Sequence, residues 1–343
     1  MTGIETEQEA ARLFEILRNI TDFRKGIKYD MASCLSFAPL TLEINRLKKQ
    51  HNAVILAHYY CTPEIVYGIA DFRGDSYGLS KTAAAVKEDT IIFCGVYFMA
   101  QTAKIINPAK RVFLPPLFAG CSLADSVDAE QVKVLRAKHP AAEFICYINS
   151  TAEVKAQCDI CCTSSNVYDI AAASKADEIV FLPDIFMADN IAAELEKRGV
   201  KKRIIPFGGT CCVHDKYTVQ DVLDIRKNYP AAKIICHPES ARAVCELSDY
   251  TGSTSGMLKF VKESAANQFA VFSEDGIVNC LEYENPSKQF LRVSRACAQM
   301  KRNNLNNVLG ILKNPVKEAE VKIPPSVAEA AKTCIERMFA AAK

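Results

Sequence analysis

A threefold internal repeat limits what this chain can fold into more than any other feature of it. LEINRLKKQHNAVILAHYY (42–60) parallels EQVKVLRAKHPAAEFICYIN (130–149) and QDVLDIRKNYPAAKIICHPE (220–239). Each stretch reads as an amphipathic helix with a basic last turn, a short Asn or Pro break, and a β-branched apolar strand. A second block follows in every copy: ADFRGDSYGLSKTAAAVKEDTIIFCG, CDICCTSSNVYDIAAASKADEIVFLP and SDYTGSTSGMLKFVKESAANQFAVFS, headed by Asp71, Asp159 and Asp249. It contains a polar, Gly- or Ser-rich loop, a second helix and a second strand. A third block adds a helix, such as MAQTAKIINPAK or MADNIAAELEKRG, and a last strand.

One unit therefore runs helix, strand, loop, helix, strand, helix, strand. That alternation makes a mostly parallel sheet with helices on both faces. The expected fold is α/β: three homologous α/β/α sandwich domains arranged around a pseudo-threefold axis. Their boundaries fall at 40–126, 127–216 and 217–302, between an N-terminal helical extension (1–39) and a C-terminal helical tail (303–343). The extension holds one helix over 7–20 and an irregular piece containing Cys34 and Pro39; the tail holds helices near 303–312 and 326–342.

The last strand of each unit delivers one thiol. VFLPPLFAGCSLADS carries Cys121, RIIPFGGTC ends at Cys211 and QFLRVSRAC ends at Cys297. Ligand sites in open α/β sheets lie beyond the carboxyl ends of the strands, so strand ends facing one axis bring these cysteines together. The end of the first strand adds His58, Tyr147 and His237 at equivalent positions, and two residues on stand Tyr60, Asn149 and Glu239. In the loop after the repeated aspartates, Ser76, Ser164 and Thr254 are equivalent, preceded by Asp75, Thr163 and Ser253. Hydroxyls at a helix start suit a carboxylate or phosphate, although single Ser and Thr residues there are commonly plain N-caps. His51, His139 and Tyr229 sit together at a helix C-terminus, a solvated and dipole-compatible position.

Fifteen cysteines without an export signal argue against a disulfide framework and for a reducing, cytoplasmic setting. Cys94, Cys146 and Cys236 lie inside apolar strands and read as core. Cys158 and Cys161 form a CxxC next to Cys162, yet no second pair follows at zinc-finger spacing and the other repeats lack it, so it reads as a decoy. Cys212 has no equivalent and is a second choice beside Cys211. Three thiolates suit zinc, with His214 as a fourth ligand, or a [4Fe-4S] cluster with one open iron acting as a Lewis acid. Long, similar spacings and the ring of His, Tyr, Glu and hydroxyl groups favour the second. A net charge of +2 offers no footprint for nucleic acid, and no stretch reaches the ~20 apolar residues of a membrane helix.

These segments resemble the quinolinate synthase family. The resemblance covers about residues 40–312 and rests on AHYY (57–60), GDS (74–76), FMAQTAKIINP (98–108), AGCSLADS (119–126), NST (149–151), TSSN (163–166), CCVHD (211–215), HPES (237–240) and GSTS (252–255). It implies three α/β sandwich domains about a pseudo-threefold axis and a [4Fe-4S] cluster on Cys121, Cys211 and Cys297. It also implies a transferase-type condensation of iminoaspartate with dihydroxyacetone phosphate, losing phosphate and two waters in closing the pyridine ring of quinolinate. A functional link to an enzyme supplying iminoaspartate follows. On this expectation His58, Asp75, Ser76, Tyr147, Asn149, Ser164, His237, Ser253 and Thr254 hold substrate, while Tyr60, Glu239 and His214 serve catalysis. Where the family often has Cys-Pro, this chain has Cys297-Ala298.

Overall fold

A computed structural model describes residues 2–22, 24–293 and 295–341. Two helices lead the chain, α1 (Gly3–Leu17) and α2 (Met31–Gln50). The first repeat then contributes β1 (Ala53–His58), β2 (Phe72–Gly74), α3 (Ser76–Ala85), β3 (Thr90–Cys94), α4 (Tyr97–Ile106) and β4 (Arg111–Phe113). The second has α5 (Ala129–Lys138), β5 (Glu143–Tyr147), β6 (Ile160–Cys162), α6 (Val167–Ala173), β7 (Glu178–Leu182), α7 (Ile185–Lys197) and β8 (Arg203–Pro206). The third has α8 (Val219–Asn228), β9 (Lys233–Cys236), β10 (Tyr250–Thr251), α9 (Thr254–Glu263), β11 (Gln268–Phe272), α10 (Asp275–Glu284) and β12 (Gln289–Arg292). Helices α11 (Leu305–Lys313) and α12 (Pro325–Ala341) close the chain.

Each repeat folds into its own four-stranded, wholly parallel sheet, ordered β2-β1-β3-β4, β6-β5-β7-β8 and β10-β9-β11-β12. In every sheet the order of strand addition reverses between the first and third strands, and the crevice there is where open α/β sheets bind ligands. Both faces are covered, which is why the strands read as continuous apolar runs. In β1, Val54 and Leu56 belong to one core, whereas Ile55 and Ala57 point into the other.

Two readings of the sequence need correction. The loop after each first strand contains a short edge strand, β2, β6 or β10, of two or three residues, below the length at which alternation can be recognised. The repeated aspartate secures it. Asp71 Oδ2, Asp159 Oδ2 and Asp249 Oδ2 accept the backbone N–H of Ile55, Phe144 and Ile234 at 2.9, 2.8 and 2.8 Å. Lys48, Arg136 and Arg226, equivalent residues on the leading helices, pair with the same carboxylates.

The second correction concerns the region expected to be irregular around Cys34 and Pro39. It is the N-terminal half of α2, a 20-residue helix that crosses the expected boundary at residue 39. Proline disfavours a helix interior, but an Asp30 cap and a buried stripe of Cys34, Ala38, Thr41 and Ile44 packed on α1 outweigh that cost. At the other end, α12 packs on β6, burying Ala331, Cys334, Ile335 and Met338. Among the described residues, no helix is long and apolar enough to cross a membrane.

Candidate active site

The carboxyl ends of the three sheets meet at one cavity of about 320 Å³. Each repeat brings its cysteine there: Cys121, Cys211 and Cys297 all line it, and all are free thiols. The local turn is the same each time. The carbonyls of Cys121, Cys211 and Cys297 accept the N–H of the residue four positions on, Asp125, Asp215 and Lys301, at 2.8, 3.0 and 3.0 Å. A single turn of 3₁₀ helix begins three residues after each cysteine. Backbone N–H groups two and three residues ahead are directed at each sulfur and favour its thiolate: Leu123 and Ala124, Val213 and His214, Gln299 and Met300.

Burial opposes that ionisation. It pushes the Cys121 thiol up to about 12 and the Cys297 thiol up to about 11, and holds Cys211 well above its usual range. Mutual repulsion adds to this, since Cys121 lies close enough to bear on both other thiols. Three thiols of this kind, with N–H donors already aimed at sulfur, become thiolates when a cation supplies the missing charge.

A hydrogen-bonded chain crosses the cavity wall and draws on all three repeats. The Tyr60 hydroxyl and the Ser273 Oγ are 3.2 Å apart, and Ser273 Oγ is 3.1 Å from His214 Nε2. His214 Nδ1 lies 2.8 Å from Glu239 Oε2, and Tyr147 donates its hydroxyl to Glu239 Oε1 at 2.7 Å. Asn149 Nδ2 reaches the same oxygen at 3.4 Å, while Asn149 Oδ1 has no partner among the described residues. Burial raises the Glu239 carboxyl, but His237 and His214, with the hydrogen bonds from His214 and Tyr147, outweigh it and hold the group well below the usual carboxylate range. Burial, reinforced by Glu239, keeps Tyr60 and Tyr147 as phenols. One consistent direction for the chain results, from Tyr60 through Ser273 and His214 to the Glu239 carboxylate.

His58 and His237 repeat one motif. Each ring accepts, at Nδ1, the backbone N–H two residues on, from Tyr60 at 3.1 Å and Glu239 at 3.4 Å. That assigns the proton to Nε2 in the neutral ring. Burial first lowers both pKa values to about 3, so both are neutral donors near pH 7. The His237 and His214 rings stack with centroids 4.6 Å apart.

The remaining expected residues divide. Ser76 and Thr254, the first residues of α3 and α9, and Ser164 line the cavity. Asp75 also lines it, but its carboxylate caps α3 through Gly78 N–H and accepts the Ser255 hydroxyl at 2.6 Å. Ser253 is not among the lining residues; its hydroxyl caps α9 by accepting from Gly256 N–H.

Glu274 escaped the sequence reading. It lines the cavity, is fully buried, and accepts the N–H of Cys297 at 2.9 Å and the ammonium of Lys301 at 2.8 Å. Asp125 does the equivalent for Cys121, accepting its N–H at 3.0 Å. The available signal was the end of the repeat's third strand, where Val96, Asp184 and Glu274 are equivalent. Gly276 beside it is required by packing: a Cβ there would stand 2.6 Å from both Tyr59 O and Tyr60 Cα.

The lining holds no Lys or Arg among the described residues, so anionic groups must be met by hydroxyls, neutral histidines, amides and whatever the thiols bind. A sequence model of the family described as quinolinate synthetase A protein (NadA) matches residues 42–340. Quinolinate synthase from Sinorhizobium fredii is 37% identical over 331 residues, spanning 96% of this chain and 88% of that protein. The enzyme of the same name from Clostridium kluyveri is 41% identical over 302 residues (88% and 97%), and that from Methanosarcina barkeri 42% over 305 (88% and 98%). With that coverage, and the same segments arranged around one cavity, the chain belongs to the quinolinate synthase family, enzymes of NAD biosynthesis.

Proposed function

We propose that this enzyme condenses iminoaspartate with dihydroxyacetone phosphate to give quinolinate, phosphate and two waters. The observation carrying this reading is the meeting, in one cavity, of one cysteine per repeat with the Tyr60–Ser273–His214–Glu239–Tyr147 chain. Cys121, Cys211 and Cys297 would hold a [4Fe-4S] cluster through three irons. When bound, its open iron supplies a Lewis acid for substrate oxygen or nitrogen.

The protein groups then have separable tasks. His58 and His237 donate from Nε2, and with Ser76, Ser164 and Thr254 they bind the carboxylates and the phosphate. Asn149, whose Oδ1 has no partner among the described residues, accepts from a substrate N–H or O–H. Enolisation and dehydration need a positioned base and acid; Glu239 is an ionised carboxylate and Tyr60 a phenol, linked through His214 and Ser273. Tyr147 and His214 keep Glu239 charged and oriented. Cys211, His214 and Glu239 also offer ligand atoms within 4.8 Å of one another, the spacing of a single-ion site. His214 Nδ1 is engaged with Glu239 there, which favours the acid-base role.

Anaerobic incubation of cluster-loaded enzyme with the two substrates, followed by assay for quinolinate and phosphate, tests the reading. Equimolar products support it. A loaded enzyme that dehydrates other hydroxy acids but makes no quinolinate sinks it.

A further inference from the structure

Three more cysteines converge away from the active-site cavity, with a fourth beside them. Cys146 on β5 and Cys161 on β6 are register partners on adjacent parallel strands, and their sulfurs are 3.5 Å apart. Cys334, from α12, brings its sulfur to 3.6 Å from Cys146, and the three sulfurs lie within 4.8 Å of one another. Cys158, partly buried, lies beside Cys146 but outside that group of three sulfurs. None of the four lines the cavity, and the first three are at most 1% exposed.

Core packing explains a buried thiol one at a time. It does not explain why they gather here. The residues equivalent to Cys146, Cys158 and Cys161 are Ala57, Ala70 and Arg73 in the first repeat, and Cys236, Ser248 and Thr251 in the third. In the third repeat Cys236 pairs with the Thr251 hydroxyl at 3.2 Å, so the strand pair is satisfied without a thiol set. Only the second repeat has three such cysteines, and only there does a C-terminal helix add a fourth.

The spacing selects a ligand. Thiolates sharing one tetrahedral zinc at about 2.3 Å stand about 3.8 Å apart, close to the observed separations. Cysteines on an iron–sulfur cubane bind different irons and point outward, so their sulfurs are farther apart. We propose that Cys146, Cys161 and Cys334 bind a single zinc ion that fastens the C-terminal helix to the second repeat, with Cys158 turning in as the fourth ligand when the ion binds. Soft thiolates and a closed tetrahedral shell suit a structural ion, loaded as the chain folds. The Cys158-x-x-Cys161 pair, which lacks a nearby second pair in sequence, finds one in space in Cys146 and Cys334.

Metal analysis of protein produced with zinc and iron in the medium tests this. The expected result is about one zinc per chain besides the iron. Cys161→Ser and Cys334→Ser should lose at least about 90% of the zinc while keeping iron and sulfide, and Cys121→Ala should do the reverse. Should a serine variant fail to fold, cobalt-grown wild type decides, with sulfur-to-cobalt charge transfer and tetrahedral ligand-field bands expected. Zinc below about a tenth of an equivalent in wild type, full zinc in folded Cys334→Ser, or a Cys146–Cys161 disulfide by mass would each overturn the proposal.

Discussion

Tyr147 donates its hydroxyl to Glu239 Oε1 at 2.7 Å, joining the first-strand ends of the second and third repeats through a buried carboxylate. The pair states the design of the cavity in small: a charged group from one repeat is kept ionised by donors from another. Glu239→Gln removes the charge and keeps the shape. Turnover should fall by about 10²–10⁴-fold with iron content unchanged. Tyr147→Phe should cost less, and the double variant should cost less than the product of the two, because both act on one carboxylate. Independent, multiplicative losses would show that Tyr147 does not act through Glu239.

Acid should unfold the metal-free protein early. His58 and His237 have folded pKa values of about 3, while the unfolded chain titrates near about 6.5. Between those values the unfolded chain binds more protons, so stability rises with pH and is lost as pH falls. Glu239, held below its usual range, acts in the same direction below about pH 4.5. Each histidine contributes up to about 1.4 kcal/mol per pH unit below pH 6.5. Urea denaturation at pH 7 and pH 5 checks this, and His237→Asn should flatten the difference. Equal stability at the two pH values, in the absence of metal, would contradict it.

Glu274 orders the third cysteine. Its Oε1 accepts from Cys297 N–H and pairs with Lys301, and Glu274 itself is fully buried. Glu274→Ala removes the carboxylate that pairs with the Lys301 ammonium, which keeps its bond to Tyr60 O, and frees the Cys297 N–H. A loss of about 3–5 kcal/mol in stability is expected, with reduced iron retention. Glu274→Gln keeps an acceptor and should retain more iron than the alanine variant. Full iron and parental stability in Glu274→Ala would remove this role.

Asp249 should matter to folding alone. Its carboxylate accepts from Ile234 N–H and pairs with Arg226 and Lys233, and Asp249 does not itself line the cavity. Asp249→Ala should destabilise by about 1–3 kcal/mol in urea, with kcat and KM unchanged in folded enzyme. A selective change in KM would mean that the edge strand shapes the cavity.

The periodic parts of the fold were legible because a pattern repeated three times corrects its own noise. Strand-end positions such as His58, Tyr147 and His237 align by repeat spacing alone, and all three line the cavity. Two kinds of feature were not legible. Short edge strands such as Tyr250–Thr251 have too few residues to show alternation, and helix α2 runs through Pro39 because packing against α1 outweighs propensity. The other kind is broken symmetry. Where Asp125 and Asp215 stand in two repeats, the third has Lys301 and recruits Glu274 from another loop, which no alignment of single positions reveals. Cys334 lies outside the repeats altogether, so its place beside Cys146 had no sequence signature.

We propose that Cys121, Cys211 and Cys297 carry the cluster used in catalysis. Iron and sulfide analysis of anaerobically purified Cys121→Ala, Cys211→Ala and Cys297→Ala, beside Cys161→Ala, tests it most directly. About four irons and four sulfides are expected in wild type and Cys161→Ala, with loss of both from the other three. A cluster that survives Cys297→Ala but is lost from Cys161→Ala would contradict it.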